Sequence, residues 1–296
     1  MRCNIYRRRA RNYGEDVSFW QRVYNQKKKR KIGGSVVNFS LECAKEGLST
    51  SIVGCIGNDR LGNKILRDLE RHKISTKYIQ VSSTQKTGHS LCILNDKKES
   101  VMITDIGANQ HLDLDEFLAI QNISPKILYL SGIFKIKNFN NSYINLMRWA
   151  KKNNVMVAVD HGRFFSEVTD EQILALINLL KMSDFYFPNK REILQFTNTE
   201  KLENAVFKII RTHPNLTVAI KLGSKGCRVV NNGKFFNEPA IHCPEIISTV
   251  GAGDAFNAGF LMKYGIEKSS LEEAAKFANK IASKRICSPN QDLFKT

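Results

Sequence analysis

Several things are scarce in this 296-residue sequence. No stretch approaches the roughly 18 uncharged apolar residues that a membrane-spanning helix needs, so no such span is expected. Six prolines and eighteen glycines without a repeat exclude collagen-like and proline-rich architecture. Seven cysteines, at positions 3, 43, 55, 92, 227, 243 and 287, are scattered and form no CxxC pair. Such usage argues against a disulfide framework or a zinc knuckle and for a reducing compartment, taken as the cytoplasm. The six histidines show no ligand spacing and read as structural or surface residues.

Acidic residues are also few: 28 Asp and Glu against 45 Lys and Arg, for a net charge of +17. Residues 1–31 hold eleven Lys/Arg against Glu15 and Asp16, and so carry +9 of that total. The remainder is mildly basic, as suits a protein handling phosphorylated ligands, which argues against a dedicated nucleic-acid binder. The basic segment has no apolar core, so it is not a secretory signal. It admits three readings: a solvated arm, an organelle-targeting segment, or a tether for nucleic acid or another anionic surface.

The rest is a foldable globular composition, 42% hydrophobic and 25% charged. Apolar residues at helical spacing predict helices near 35–46, 62–72, 141–153, 170–181, 200–212, 252–264 and 270–286. Continuous apolar runs predict strands at 51–56, 127–130, 155–159, 185–187 and 217–221. Strands alternating with helices indicate a parallel sheet covered on both faces. Residues 74–106 break the pattern with three short β-rich runs, and Asn95–Lys98 reads as a hairpin turn. This is a candidate β appendage. A second hairpin is expected around Asn231-Asn232-Gly233.

The segment from Ser248 to Phe256, STVGAGDAF, carries the clearest chemistry. Two glycines flanking Ala252 at a helix start let backbone N–H groups converge on an anion. Asp254 falls in the first helical turn, where a carboxylate beside a bound phosphate can take a proton from an attacking hydroxyl. A helix-end charge interacting with the dipole is the alternative reading. A dinucleotide fingerprint would need Gly where Phe256 stands, and a Walker loop fails because the Gly57–Gly62 stretch continues as Asn63-Lys64.

This segment resembles the C-terminal signature of ribokinase-like carbohydrate kinases, the phosphofructokinase B family, usually Asp-Thr-x-Gly-Ala-Gly-Asp-x-Phe. Further resemblances follow in the family's order over about residues 32–288. They are Gly33-Gly34 with Asn38, the run from Val53 to Gly62, Thr87-Gly88 with Gly107-Ala108-Asn109, Asn189 with Glu192, Lys221 to Gly226, and Phe277-Ala278-Asn279. The resemblance implies a three-layer α/β/α sandwich with a mainly parallel sheet and a small β lid. It implies a basic arm over 1–31, a kinase domain over 32–288 with 74–106 containing part of the lid, and a tail over 289–296.

The implied activity is ATP-dependent transfer of a phosphoryl group to a hydroxymethyl group of a small sugar. A nucleoside kinase of the same fold, or a weak kinase-like protein with a binding arm, are the alternatives. By resemblance Asp254 is the general base, and the N–H groups of Gly251, Ala252 and Gly253 hold the phosphoryl charge. Gly33, Gly34 and Asn38 bind the acceptor. Asn189, Lys221, Gly223, Ser224, Gly226, Thr249 and Asn279 bind the nucleotide, and Glu192 holds Mg²⁺ through water. Asn-x-x-Glu equally satisfies a helix cap, and Gly223 and Gly226 an ordinary turn. Asp160 and Arg163 end a strand at the edge where α/β ligand sites lie. Ser248 stands where potassium-activated members carry Asp, which puts potassium activation in doubt. A first strand and its sugar-binding Asp have no counterpart in residues 1–31. A homodimer through the lid is a further implication.

Overall fold

The structure is a computed structural model that describes residues 31–94, 100–136, 139–164 and 168–287. The basic arm up to residue 30, the turn expected at 95–98 and the tail over 289–296 lie outside the described residues. The chain divides into two units, Met1–Lys31 and Ile32–Thr296, and every element below belongs to the second.

Six strands form the main sheet in the spatial order β10-β9-β8-β7-β6-β5. These are β5 (Ile127–Ser131), β6 (Met156–Asp160), β7 (Phe185–Tyr186), β8 (Thr217–Lys221), β9 (Cys227–Asn231) and β10 (Lys234–Glu238). The pairs from β5 to β8 are parallel, and β9 and β10 add antiparallel at one edge. The period-2 alternation sends successive side chains to opposite faces. Val157, Val159, Val218 and Ile220 face one core, with helices α4 (Phe139–Lys152), α5 (Asp170–Lys181), α6 (Lys190–Thr197) and α7 (Leu202–Thr212). Ala158, Phe185, Phe187 and Ala219 face the other, with α8 (Ala252–Phe260) and α9 (Leu271–Cys287). Phe187 packs edge-on against Phe260 of α8. Gly259 lets α8 and α9 approach closely, since a Cβ there would stand 3.0 Å from the Ala278 Cα. The result is the expected helix–sheet–helix sandwich. The helical path continues past α8 as a π-helical turn over Leu261–Ile266.

A second, smaller sheet pairs β1 (Thr50–Gly57) with β2 (Ile74–Ser82) in parallel. The helices α1 (Ser35–Lys45) and α2 (Arg60–Arg71) pack on it through Leu41, Ile52, Leu69 and Ile74. β2 lies within the segment set apart as a β appendage, yet it joins β1 through the α2 crossover. Parallel strands need such a crossover, and α2 supplies it. Among the described residues no strand pairing joins this sheet to the main one. The lid is the antiparallel ribbon of β3 (His89–Leu94) and β4 (Ser100–Asp105), with Leu91 opposite Ile103. Helix α3 (Leu114–Ile120) was not anticipated, and α6 only through the capping alternative at Asn189; both are short, and both start on side-chain caps, Asp113 and Asn189. No described helix is long and apolar enough to cross a membrane.

Asp59 ties α2 to the lid's root. Asp59 caps α2 by accepting from Gly62 N at 2.9 Å, and also accepts from the N–H and hydroxyl of Thr87, each at 2.8 Å. The Thr87 and Gly62 amides pull the Asp59 carboxyl down to about 2. Gly57, Gly62, Gly88 and Gly107 meet at this root, where a Cβ on any of them would run into neighbouring backbone.

Replacing Asp59 by Ala is expected to cost about 1–2 kcal/mol at neutral pH in urea unfolding, the value of a lost N-cap. Because the folded pKa is depressed, the wild-type advantage is complete above the unfolded value of 3.8 and fades as pH falls toward 2. An advantage that persists at pH 2 contradicts this account of the lid root.

Candidate active site

Three chain segments far apart in sequence meet at the start of α8. The first is the turn before it. Gly251 is the N-cap residue at φ +83°, a left-handed conformation that glycine adopts freely. No side chain caps this helix, so its first-turn amides remain available. Ala252 N–H turns back on the Thr249 carbonyl at 3.3 Å, which makes it a weaker contributor than its two glycine neighbours. Asp254 stands in this first turn, partly buried.

The second segment is α1, which packs on α8 through Cys43, Ala258 and Met262. That packing aims Asn38 at Asp254, and Asn38 Nδ2 donates to Asp254 Oδ2 at 2.8 Å. Asn38 is 6% exposed. Gly34 precedes α1 at φ +100°, and its carbonyl accepts from Asn38 N at 2.9 Å. Gly33 and Gly34 are both exposed, with open space where a Cβ would sit.

The third segment is the C-terminal edge of the parallel strands. Lys221, ending β8, reaches Asp160, ending β6, with Nζ 2.7 Å from Oδ2. Asn257 Nδ2 donates to the same oxygen at 2.6 Å and to Tyr129 OH at 3.0 Å. Gly253 leaves room for the lysine: a Cβ there would lie 3.5 to 3.8 Å from its last three side-chain atoms. A buried ammonium therefore runs beneath the first turn of α8.

The electrostatics follow from this arrangement. Burial, then repulsion from Asp160, raises the Asp254 carboxyl to about 6, and the hydrogen bonds from Asn38 and Ser35 with the Lys221 charge hold it from rising further. Burial alone would raise Asp160 too, but Lys221 overrides it and the net shift is downward. Lys221 is raised in turn, burial being outweighed by Asp160 and Glu192, so the pair stays charged. Glu192, buried in α6, is raised by burial first, against the pull of Lys221. Two neighbouring carboxyls with proton affinities pushed apart are the usual sign of an acid–base centre.

Other expected residues lie around this centre in different states. Asn189 and Glu192 form a complete capping box, with Glu192 N to Asn189 Oδ1 at 2.9 Å and Asn189 N to Glu192 Oε2 at 2.8 Å. That cap was the alternative the sequence left open. Gly223 is the open corner of a 3₁₀ turn over Gly223–Lys225, where Ser224 is exposed. Gly226 has a structural reason: a Cβ would strike the backbone of Glu238 and Ala240. Asn279 spends its amide on the carbonyls of Glu238 at 3.2 Å and Pro239 at 2.9 Å, pinning the chain as it leaves β10. Thr249 is exposed at the mouth of the turn.

Sequence reasoning missed Ser35, Tyr129, Asn257, Glu42 and Arg285, which no local pattern marks. It also missed the disulfide joining Cys243 to Cys287 across 44 residues. His161 is buried among Phe134, Phe164, Tyr186 and Phe196, as a structural histidine. Burial holds it down to about 4 despite Asp160. Among the described residues no cluster of His, Cys, Asp and Glu could hold a metal ion on its own.

Comparison with known proteins gives this geometry a family. Residues 8–293 match the pfkB family carbohydrate kinase profile. A sugar kinase of uncharacterised specificity from Archaeoglobus fulgidus is 27% identical over 240 residues, covering 81% of this chain and 92% of that protein. A ribokinase from Haemophilus influenzae is 26% identical over 254 residues, covering 85% and 79%. The solved adenosine kinase from Sinorhizobium meliloti shares the fold at TM-score 0.74 and 22% identity, over 92% of this chain and 83% of its own.

The Lys221–Asp160 pair is testable by stability alone. Lys221→Met strands a buried carboxylate and is expected to cost about 3–5 kcal/mol in urea unfolding. Adding Asp160→Asn should recover most of that loss. A single variant as stable as the wild type would contradict the buried pair.

Proposed function

This chain belongs to the pfkB family of carbohydrate kinases and is a phosphotransferase with an alcohol acceptor; we propose that it moves the γ-phosphoryl group of ATP to a hydroxymethyl group of a small sugar, with Asp254 as the base. The observation that carries this reading is the position of Asp254. It stands in the first turn of an uncapped helix, oriented by Asn38, with its carboxyl at about 6. A base of that proton affinity is ionised at neutral pH yet can hold a proton in passing.

The division of labour follows. Asp254 takes the proton of the acceptor hydroxyl as its oxygen attacks the γ-phosphorus and ADP departs. The N–H groups of Gly251 and Gly253, with a lesser share from Ala252, hold the equatorial oxygens. Loss of one such donor typically costs about 3–4 kcal/mol of barrier. Lys221 adds a fixed positive charge below them. Gly33, Gly34 and Asn38 line the acceptor side, where the lid formed by β3 and β4 excludes water. Gly223, Ser224, Gly226 and Thr249 line the nucleotide side, and Asn279 shapes it by holding the β10 exit.

A divalent ion fits the residues present. Glu192 is a buried carboxylate with raised proton affinity, which marks a negative charge short of compensation. Mg²⁺ keeps most of its waters and needs only one or two carboxylates besides phosphate oxygens. Glu192 would hold it through water, with Asn189 fixing the carboxylate through the capping box. When bound, the ion neutralises phosphate charge. Ser248 gives no carboxylate for a potassium ion, so potassium independence is part of the proposal.

A nucleoside acceptor is the second reading, favoured by the shared fold with an adenosine kinase. A cytoplasmic location rests on the free thiols of Cys43, Cys55, Cys92 and Cys227, and the Cys243–Cys287 disulfide weighs against it. A homodimer through the lid rests on Leu91, Met102 and Ile103, which the ribbon exposes.

ADP release measured against D-ribose, D-fructose and adenosine decides the acceptor class, and silence on all three contradicts the proposal. Asp254→Asn is expected to cut turnover by about 10²–10⁴-fold while MgATP binding persists. The carboxyl is raised, so its charged form destabilises the fold above pH 6 and the variant should unfold at higher temperature at pH 7. Wild-type kcat should fall as pH drops through about 6. A flat profile from pH 5 to 8 removes Asp254 as the base.

A further inference from the structure

The amide of Asn38 is engaged at both ends. Its Nδ2 donates to Asp254 at 2.8 Å, and its Oδ1 accepts from Arg285 Nη2 at 3.3 Å. Arg285 lies in the last turn of α9, 247 residues away in sequence. Its guanidinium also donates from Nη1 to Glu42 Oε1 at 3.4 Å and from Nε to the Val250 carbonyl at 3.4 Å. Glu42 sits one helical turn after Asn38 on α1 and is fastened on its other side by Lys45 at 2.9 Å. The Arg285 and Glu42 side chains are 11% and 9% exposed. A Cβ on Gly251 would come within 3.1 Å of this guanidinium and 3.2 Å of Asn38 Nδ2. The arginine thus lies against both the amide cradle and the residue that orients Asp254.

We infer that Arg285 is a positioning residue for phosphoryl transfer, fixing which end of the Asn38 amide faces Asp254 and holding the Val250–Gly251 turn in place. The inference rests on the reading of Asp254 as the base. A primary amide has one donating and one accepting end, a guanidinium only donates and a carboxylate only accepts. One orientation of Asn38 satisfies both neighbours, and the flipped one opposes like groups at both ends.

The constraint matters most in mid-reaction. As the acceptor oxygen bonds to the γ-phosphorus and the bond to ADP breaks, the hydroxyl proton moves to Asp254. A protonated carboxyl can donate. Without Arg285 the Asn38 amide could rotate to accept that proton's hydrogen bond and so retain the proton within the protein. With Arg285 in place Asn38 keeps donating to Oδ2, and the proton stays on the other oxygen, facing the acceptor and free to leave. Both ends of Asn38 being held by protein also leaves it only the second Nδ2 hydrogen for an acceptor hydroxyl.

The charged and titratable neighbours of Asp254 are Asp160 on β6, Tyr129 on β5, Lys135 in the turn after β5, and Lys221 on β8. Arg285 donates to Asn38, Glu42 and the Val250 carbonyl, so charge changes at Arg285 and Glu42 can be read separately from those at Asp160 and Lys221. The test uses Arg285→Met and Glu42→Gln in the full chain. One readout is the acid limb of kcat with the fastest acceptor among D-ribose, D-fructose and adenosine. A second readout is the carboxyl-carbon NMR titration of Asp254, assigned by its loss in Asp254→Asn, which needs no acceptor.

Arg285→Met should lower kcat about 10–100-fold with acceptor KM changed less than about threefold, since a donor that aligns a general base is removed. It should also move the Asp254 titration upward. Glu42→Gln leaves the guanidinium uncompensated and should move the titration downward, and it serves alone if Arg285→Met fails to fold. Opposite shifts, with a kcat that stays low in Arg285→Met at pH 8 where Asp254 is ionised, support the inference. No shift in either variant, two shifts of the same sign, or a kcat that returns to the wild-type value at pH 8, overturns it, because loss of a charge alone moves the titration but leaves an aligned, ionised base in place. Silence of all three acceptors with opposite shifts present would count against the kinase reading and not against the positioning role.

Discussion

A carboxylate beside an anion-attracting helix end is an electrostatic contradiction that the rest of this molecule is arranged to sustain. On the proposed function, Asp254 and the transferring phosphoryl group would carry the same sign and share one turn of α8. The structure manages this by desolvating Asp254 and setting Asp160 near it, which raises its proton affinity, and by supplying countercharge from below through Lys221. Asn38 then fixes its direction. Each of these groups is delivered by a different layer of the fold: Lys221 and Asp160 by the ends of parallel strands, Asn38 by α1, and the amides by the turn into α8. The polar cluster at the strand ends sits where open α/β sheets habitually bind ligands.

The packing explains why that cluster can exist. Ala158 and Ala219 share the α8-facing side of the sheet with Phe185 and Phe187, which anchor α8 through Phe260. Gly253 then passes over Lys221. On the other face, Val157, Val159, Val218 and Ile220 build the larger core that carries most of the apolar burial. One face thus supplies the larger share of the hydrophobic burial, and the other seats the helix that carries Asp254. At the glycine-rich root of the lid backbone packs on backbone, and Asp59 fastens it by accepting from Gly62 and Thr87.

Much of this was legible in the linear chain. The parallel strands are continuous apolar runs, and the helices between them keep strict spacing, so the sandwich followed from periodicity. The Gly251–Asp254 turn stood out through its resemblance to a kinase signature, since an acid at a helix start can equally serve as a charge on the helix dipole. What was hidden is long-range. Nothing near Arg285 or Glu42 marks them, since their meaning depends on α1 and α9 being brought together across more than two hundred residues. The Cys243–Cys287 bridge was hidden for the same reason. Strand β2 was misplaced because period-2 patterning shows a strand without showing its partner. Asn279 and Gly226 were legible as residues of interest, but their work on the β10 exit strand only geometry could show.

The central claim is that the amides of the Gly251–Gly253 turn and the carboxyl of Asp254 face the same transferring group. A crystal structure with MgADP, aluminium fluoride and the preferred acceptor tests it most directly. The account predicts a planar fluoride adduct accepting from Gly251 and Gly253 N–H, with the acceptor oxygen about 3 Å from Asp254. An adduct seated away from this turn, or an Asp254 carboxyl turned from the acceptor oxygen, would contradict it.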